Sequence, residues 1–170
     1  MSRRSLPLLL LVFLALVSLS PVLHAQARVA VYGSVGGEKS GLPNAGWGTA
    51  GIVGLYAGTN DLGPLAIAVD VRADFANDHR SYLAGPRLAL HFPAFPLKPY
   101  SEILVGRTSY DKASSGFQRE ANWNASYVGG IDTTIFPHID WRIFDFTYKL
   151  NDSGSSNHQK ALTTGLVLRF

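Results

Sequence analysis

The chain has 170 residues, 46% of them hydrophobic, with 17 glycines, 9 prolines and no cysteine. That is one domain's worth of chain, and an exported protein of this kind has to be stabilised by something other than disulfides. The formal charge of +3 falls to +1 if a leader carrying Arg3 and Arg4 is removed, so the charge balance gives no ground for a nucleic-acid partner.

The first 27 residues read as a secretory signal peptide. Ser2-Arg3-Arg4 supplies the positive start, Leu8 to Leu19 the apolar run and Ala25-Gln26-Ala27 a small-x-small cleavage site. Cleavage is expected after Ala27, with Ala25 the alternative. Arg3-Arg4 also fits a twin-arginine signal, but the strongly apolar run favours the general secretion route. The domain division is therefore 1–27 signal peptide and 28–170 one mature domain. Beyond the leader no apolar run approaches the length of a spanning helix, so a membrane location would have to be reached with strands.

From Arg28 onward the pattern has period two, and Gly, Pro, Asn and Asp mark its breaks. The first strand is expected over Arg28 to Val35, followed by a polar loop, Gly36 to Ala45. The second covers Gly46 to Gly58, with a turn at Asn60 to Pro64. The third, Leu65 to Phe75, alternates most cleanly: Leu65, Ile67, Val69, Val71 and Phe75 oppose Ala66, Ala68, Asp70, Arg72 and Asp74. The fourth is Ser81 to Phe92, where Pro86 predicts a bulge or a missing ladder bond because proline cannot donate. Lys98 to Arg107 forms the fifth, and a long polar loop, Thr108 to Ala121, follows. The sixth is Asn122 to Phe136. The seventh is Trp141 to Leu150, with Phe144, Phe146, Tyr148 and Leu150 opposite Asp145, Thr147 and Lys149. After the loop Asn151 to His158, the chain ends in Ala161 to Phe170.

Two regularities go beyond a generic all-β reading. Within each strand the apolar residues share one parity, while the other parity carries charges that a soluble core would exclude. Long polar connections also alternate with short turns, as outer-membrane barrels alternate external loops with periplasmic turns. The third connection, Ala76 to Arg80, is shorter than that rule suggests. Trp47, Phe75, Tyr82, Trp123 and Tyr148 would form an aromatic girdle at one rim, with Phe92, Trp141 and Phe170 at the other. The fold predicted is all-β: an eight-stranded antiparallel up-and-down transmembrane β-barrel.

The phrases AVDVRADF, YLAGPRLAL, KPYSEILVG, YVGGIDTTIF, HIDWRIFDFTYKL and TTGLVLRF resemble the small outer-membrane β-barrels of the OmpA/OmpX-like and opacity-protein-like family, especially acidobacteria-type members. The resemblance runs from Arg28 to Phe170. It implies insertion in the bacterial outer membrane among phospholipid and lipopolysaccharide. It also implies that Phe170 acts as the terminal signal read by the barrel-assembly machinery. No peptidoglycan-binding domain follows Phe170 in this sequence, so an anchoring role of the full OmpA type is not expected.

The inward parity carries Arg28, Arg72, Arg87, Lys149 and Arg169 against Asp70, Asp74, Glu102, Asp132 and Asp145. Eight strands enclose just enough room for side chains, and dehydrated charges must pair. A filled, structural polar interior is therefore expected, with Asp70, Arg72, Arg87 and Glu102 in mutual contact. The histidines outside the leader are far apart in sequence, with His79 and His158 expected on external loops and His91 and His138 near turns. Neither a metal site nor a cofactor is expected. Ser155-Ser156-Asn157-His158 has the residue types of a lipid-A deacylase but not the order, so enzymatic activity is not expected. The reading is a structural or adhesive barrel whose loops 36–45, 108–121 and 151–158 meet an extracellular partner. A small channel is the alternative, and a lipid-A-modifying enzyme the less favoured one.

Overall fold

The computed structural model describes residues 28–39, 46–77, 79–91, 96–110, 121–151 and 158–170. The expected leader, 1–27, and the middles of the long loops lie outside them. Eight strands run β1 (Arg28–Lys39), β2 (Trp47–Leu62), β3 (Leu65–Ala76), β4 (His79–Leu90), β5 (Leu97–Tyr110), β6 (Ala121–Phe136), β7 (Ile139–Asn151) and β8 (Gln159–Arg169). Each is antiparallel to its chain neighbours, and β8 pairs with β1 to close the barrel. Closure continues past the last strand residue, because Phe170 N–H donates to the Val29 carbonyl at 2.8 Å.

The period-two pattern becomes two surfaces. Outward residues such as Val69, Ile103 and Leu166 are 59%, 60% and 52% exposed, while Asp70, Leu104 and Val167 on the opposite parity are at 0%. Water would not tolerate an apolar belt of this extent around a monomer, whereas hydrocarbon requires it together with complete backbone pairing.

The strand bounds differ from the sequence expectation mainly at the loop end. Gly36 to Lys39 continue β1 instead of opening a loop, because Gly36 packs directly on the Leu162–Thr163 backbone where a Cβ would collide. Thr108 continues β5 and faces inward, its hydroxyl 2.8 Å from Ser81 Oγ. His79 and Arg80 begin β4, leaving a two-residue connection after Ala76. At the other end β2 continues to Leu62, past a register shift between Thr59 and Leu62, and the turn is Gly63-Pro64 with Gly63 at φ 68°. The β4–β5 ladder skips Gly85 and Pro86 without changing register, which is the missing bond expected of that proline.

One feature of β7 departs from simple alternation. Arg142 pairs with Gly165 and Asp145 with Thr163, so one extra residue sits in β7 between them. Such a bulge resets parity. Asp140 and Arg142 therefore face inward before it, and Asp145, Thr147 and Lys149 face inward after it.

A charged barrel interior as the candidate functional site

Three arginines from three strands meet in the middle of the barrel. Arg72 on β3 places Nη2 2.7 Å from Glu102 Oε2 and 3.2 Å from Asp145 Oδ2, and its Nη1 donates to Thr147 Oγ1 at 3.2 Å. Arg87 on β4 pairs with the other oxygen of Glu102 and reaches Asp132 Oδ2 at 2.9 Å. Arg142 on β7 reaches Asp132 Oδ1 at 3.0 Å and Asp145 Oδ2 at 3.3 Å. Glu102 thus bridges two arginines, as Asp132 and Asp145 also do, and Asp70 stands 3.9 Å from Arg72 Nε.

Tyrosines complete the packing. Arg87 lies between the rings of Tyr56 and Tyr100, 4.4 and 3.7 Å from their centroids, and Arg142 lies 4.0 Å from that of Tyr32. Stacking suits guanidinium, whose flat faces are weakly hydrated. Two of the hydroxyls also donate to the carboxylates: Tyr32 to Asp70 at 2.8 Å and Tyr100 to Asp145 at 2.7 Å. Both rings lie across a glycine on the neighbouring strand, Gly54 and Gly130, where an added Cβ would collide with them. The glycines open the space that the tyrosines fill.

Toward the loop end a second set surrounds Lys149, whose Nζ lies 3.4 Å from Asp74, 3.6 Å from Glu38, 3.1 Å from His79 Nε2 and 3.2 Å from Ser81 Oγ. His79 Nε2 is 3.2 Å from Glu38. His79 is fully buried rather than on an external loop, because β4 starts two residues earlier than its pattern suggests and carries the ring inside. Toward the termini, Asp140 accepts from Lys98 at 2.9 Å and from Arg169 at 3.0 Å. There the lumen widens into a cavity with about 50 Å³ of room for water-sized molecules, lined by Arg28, His91, Lys98, Asp140 and Arg169 among others. Arg28, expected inside, is exposed at this mouth.

The described interior therefore holds seven carboxylates, Glu38, Asp70, Asp74, Glu102, Asp132, Asp140 and Asp145, all buried. Against them stand Arg72, Arg87, Arg142 and Lys149 inside and Lys98 and Arg169 at the mouth. This differs from the five-against-five balance expected from sequence. Glu38 falls in the expected loop Gly36 to Ala45, Asp140 in the connection before the expected seventh strand, and Arg142, which shares the parity of Phe144 in an unbroken strand, is absent from the expected inward set. Among the described residues no cluster of three or more His, Cys, Asp or Glu side chains has a geometry that would hold a metal ion. His138 is exposed at the β6–β7 turn with φ 67°, and His158 packs 5.1 Å from the Tyr148 ring. Ser155, Ser156 and Asn157 lie outside the described residues.

The arrangement defines a class, a closed eight-stranded barrel with a lipid-facing wall and a lumen filled by paired charge, and that is the fold of the small bacterial outer-membrane barrels. No protein-family model matches the sequence, and no curated protein does. Solved structures do match. Neisserial surface protein A superposes with a TM-score of 0.57 at 18% identity, covering 85% of this chain and 97% of that one. The outer-membrane enzyme PagL gives 0.54 at 14%, covering 82% and 98%. Ail, the attachment invasion locus protein of Yersinia pestis, solved with the heparin analogue sucrose octasulfate, gives 0.50 at 12%, covering 85% and 99%.

Proposed function

We propose that the protein is an integral outer-membrane barrel with a structural or surface-interaction role, its lumen closed by its own side chains. The observation that supports this most directly is the Arg72–Glu102–Arg87 bridge with Asp132, Asp145 and Arg142 across the middle of the barrel. Every cation there is held by two or more carboxylate contacts, which leaves few groups to replace the water of a passing ion. With the interior so occupied, specificity falls to the loops 40–45, 111–120 and 152–157, which would carry contact with an extracellular partner.

Planar-bilayer recording tests this reading. The wild-type barrel is expected to pass little or no current. Large, steady single-channel steps would overturn it in favour of a small channel.

A further inference from the structure

Among the residues whose side chains are described, all seven carboxylates are inside the barrel, and the charges on the outward parity of the strands are all cations at the loop end: Lys39, Arg80, Arg107 and Lys160. A cation on a lipid-facing wall is costly at mid-depth and tolerable only near the interface. A set of them at one rim, among the described residues, suits anions that the membrane itself supplies.

The strand register shows how the strongest seat is built. Tyr82, Arg107 and Trp123 stand directly opposite one another across β4, β5 and β6, with the Arg107 guanidinium 5.8 Å from the Trp123 ring. Arg80 pairs with Ser109, which makes it the diagonal neighbour of Arg107, about 7–8 Å away along such a diagonal. Two guanidiniums at that spacing can share one phosphate, and guanidinium matches its oxygens in a bidentate fashion. Below the row small Ala73 and Ala84 lie among Val53, Leu55, Val71 and Val105, which leaves a shallow, open apolar groove on the wall. Lys39 and Lys160 face each other across β1 and β8 at the same rim, a like-charged pair that is unfavourable unless an anion joins it.

We propose that this rim binds the phosphate of an outer-leaflet lipid, with Arg80 and Arg107 on the headgroup, Tyr82 and Trp123 at the interface and an acyl chain in the groove between β2 and β5. The inference rests on the membrane orientation in the reading above, loops outward, and is independent of whether the lumen conducts.

The test uses the exported protein folded into phosphatidylcholine nanodiscs and titrated with bisphosphorylated lipid A. Binding is read from Trp123 emission in a Trp47→Phe, Trp141→Phe background, with heat-modifiable migration as the check on folding. Saturable binding is expected, weakened about tenfold in Arg80→Gln/Arg107→Gln at roughly fivefold or less per cation. It should be only partly kept in Arg107→Lys, which retains the charge but not the bidentate fork, and unchanged in Arg28→Gln at the opposite mouth. Lipid A stripped of both phosphates, an arm that needs no charge variant, should bind no better than phosphatidylcholine. Equal binding by the stripped lipid, or an unweakened double variant, would overturn the proposal. Displacement of lipid A by millimolar inorganic phosphate would also overturn it, by showing a free-ion site instead. A conducting barrel that still binds lipid A in this way would defeat the closed-lumen reading and leave this one standing.

Discussion

The middle of the lumen and its termini-side mouth are built from the same chemistry, arginine or lysine on aspartate or glutamate, yet they are different kinds of structure. In the middle, the Arg72, Glu102 and Asp145 side chains are all at 0% exposure, and each charge touches at least two of opposite sign. At the mouth, Arg169 is 27% exposed and Lys98 14%, and both lean on the single carboxylate of Asp140 beside a water-sized cavity. A dehydrated charge that loses its partner has no solvent to turn to, whereas a charge at the mouth does. What separates the regions is therefore the cost of removing one member, more than the strength of any one contact.

The largest effect is expected at Glu102. Glu102→Gln leaves Arg72 and Arg87 each short of a carboxylate in a buried site, which should cost about 3–5 kcal/mol. Reversible urea unfolding in lipid vesicles measures it, and any surviving barrel should show brief, small conductances. A loss below about 1 kcal/mol would erase the distinction between middle and mouth, since that is the scale of an exposed pair.

A smaller effect on the same region comes through shape. Gly130→Ala puts a methyl where the Tyr100 ring lies, and overpacking of this kind costs about 1–3 kcal/mol. Displacing Tyr100 also withdraws its hydroxyl from Asp145 and its face from Arg87. Combining Gly130→Ala with Tyr100→Ala should therefore cost less than the two changes added separately. Strict additivity in that double-mutant cycle would show that the ring and the arginine pairs are independent.

How legible these regions were in the sequence follows from the regularity of their strands. On β3, Asp70, Arg72 and Asp74 alternate with Val69, Val71 and Phe75 without interruption, so parity alone places them inside. On β7, parity fails at Ile143 and Phe144. Read as an unbroken strand, Arg142 shares a face with Phe144 and Phe146. Only the bulge, set by pairing with β6 and β8, turns it inward. No local signal marks that extra residue. Glu38 and His79 were obscured differently. Gly36-Gly37 before Glu38 and Asn77-Asp78 before His79 look like loop composition, but the glycines sit where strands approach closely and the second connection is only two residues long. The tyrosine–glycine pairs are non-local, since Tyr32 meets Gly54 and Tyr100 meets Gly130 only once the register exists.

At the mouth the expectation is small. Arg169→Gln leaves Asp140 still bound by Lys98 and Thr134 and opens the remaining charges to the cavity, so stability should fall by no more than about 1 kcal/mol. The same urea titration measures it, and a loss approaching that of Glu102→Gln would mean that the mouth is as dehydrated as the middle.

The smallest expected effect is a pH dependence from His91, which follows the end of β4 and faces the cavity. Burial lowers its pKa below the usual 6.5, the Lys98 ammonium lowers it further, and Arg87 and Arg169 add to this while Asp140 opposes them. Its Nδ1 has no protein partner, and its backbone N–H is held by the Pro64 carbonyl at 2.7 Å. A histidine whose folded pKa is depressed binds fewer protons in the barrel than in the unfolded chain. Its contribution is therefore nil well above 6.5 and becomes a loss of stability as pH falls through that value toward the lower, folded one. His91→Gln removes the titrating group and should leave stability near pH 8 almost unchanged. Between about pH 7 and 5.5, before most carboxylates titrate, the wild type should lose stability faster than the variant in parallel urea titrations. Identical slopes would show that water in the mouth hydrates the imidazolium as well as bulk solvent does. The opposite sign, with the wild type gaining on acidification, would show that Asp140 rather than Lys98 governs that ring.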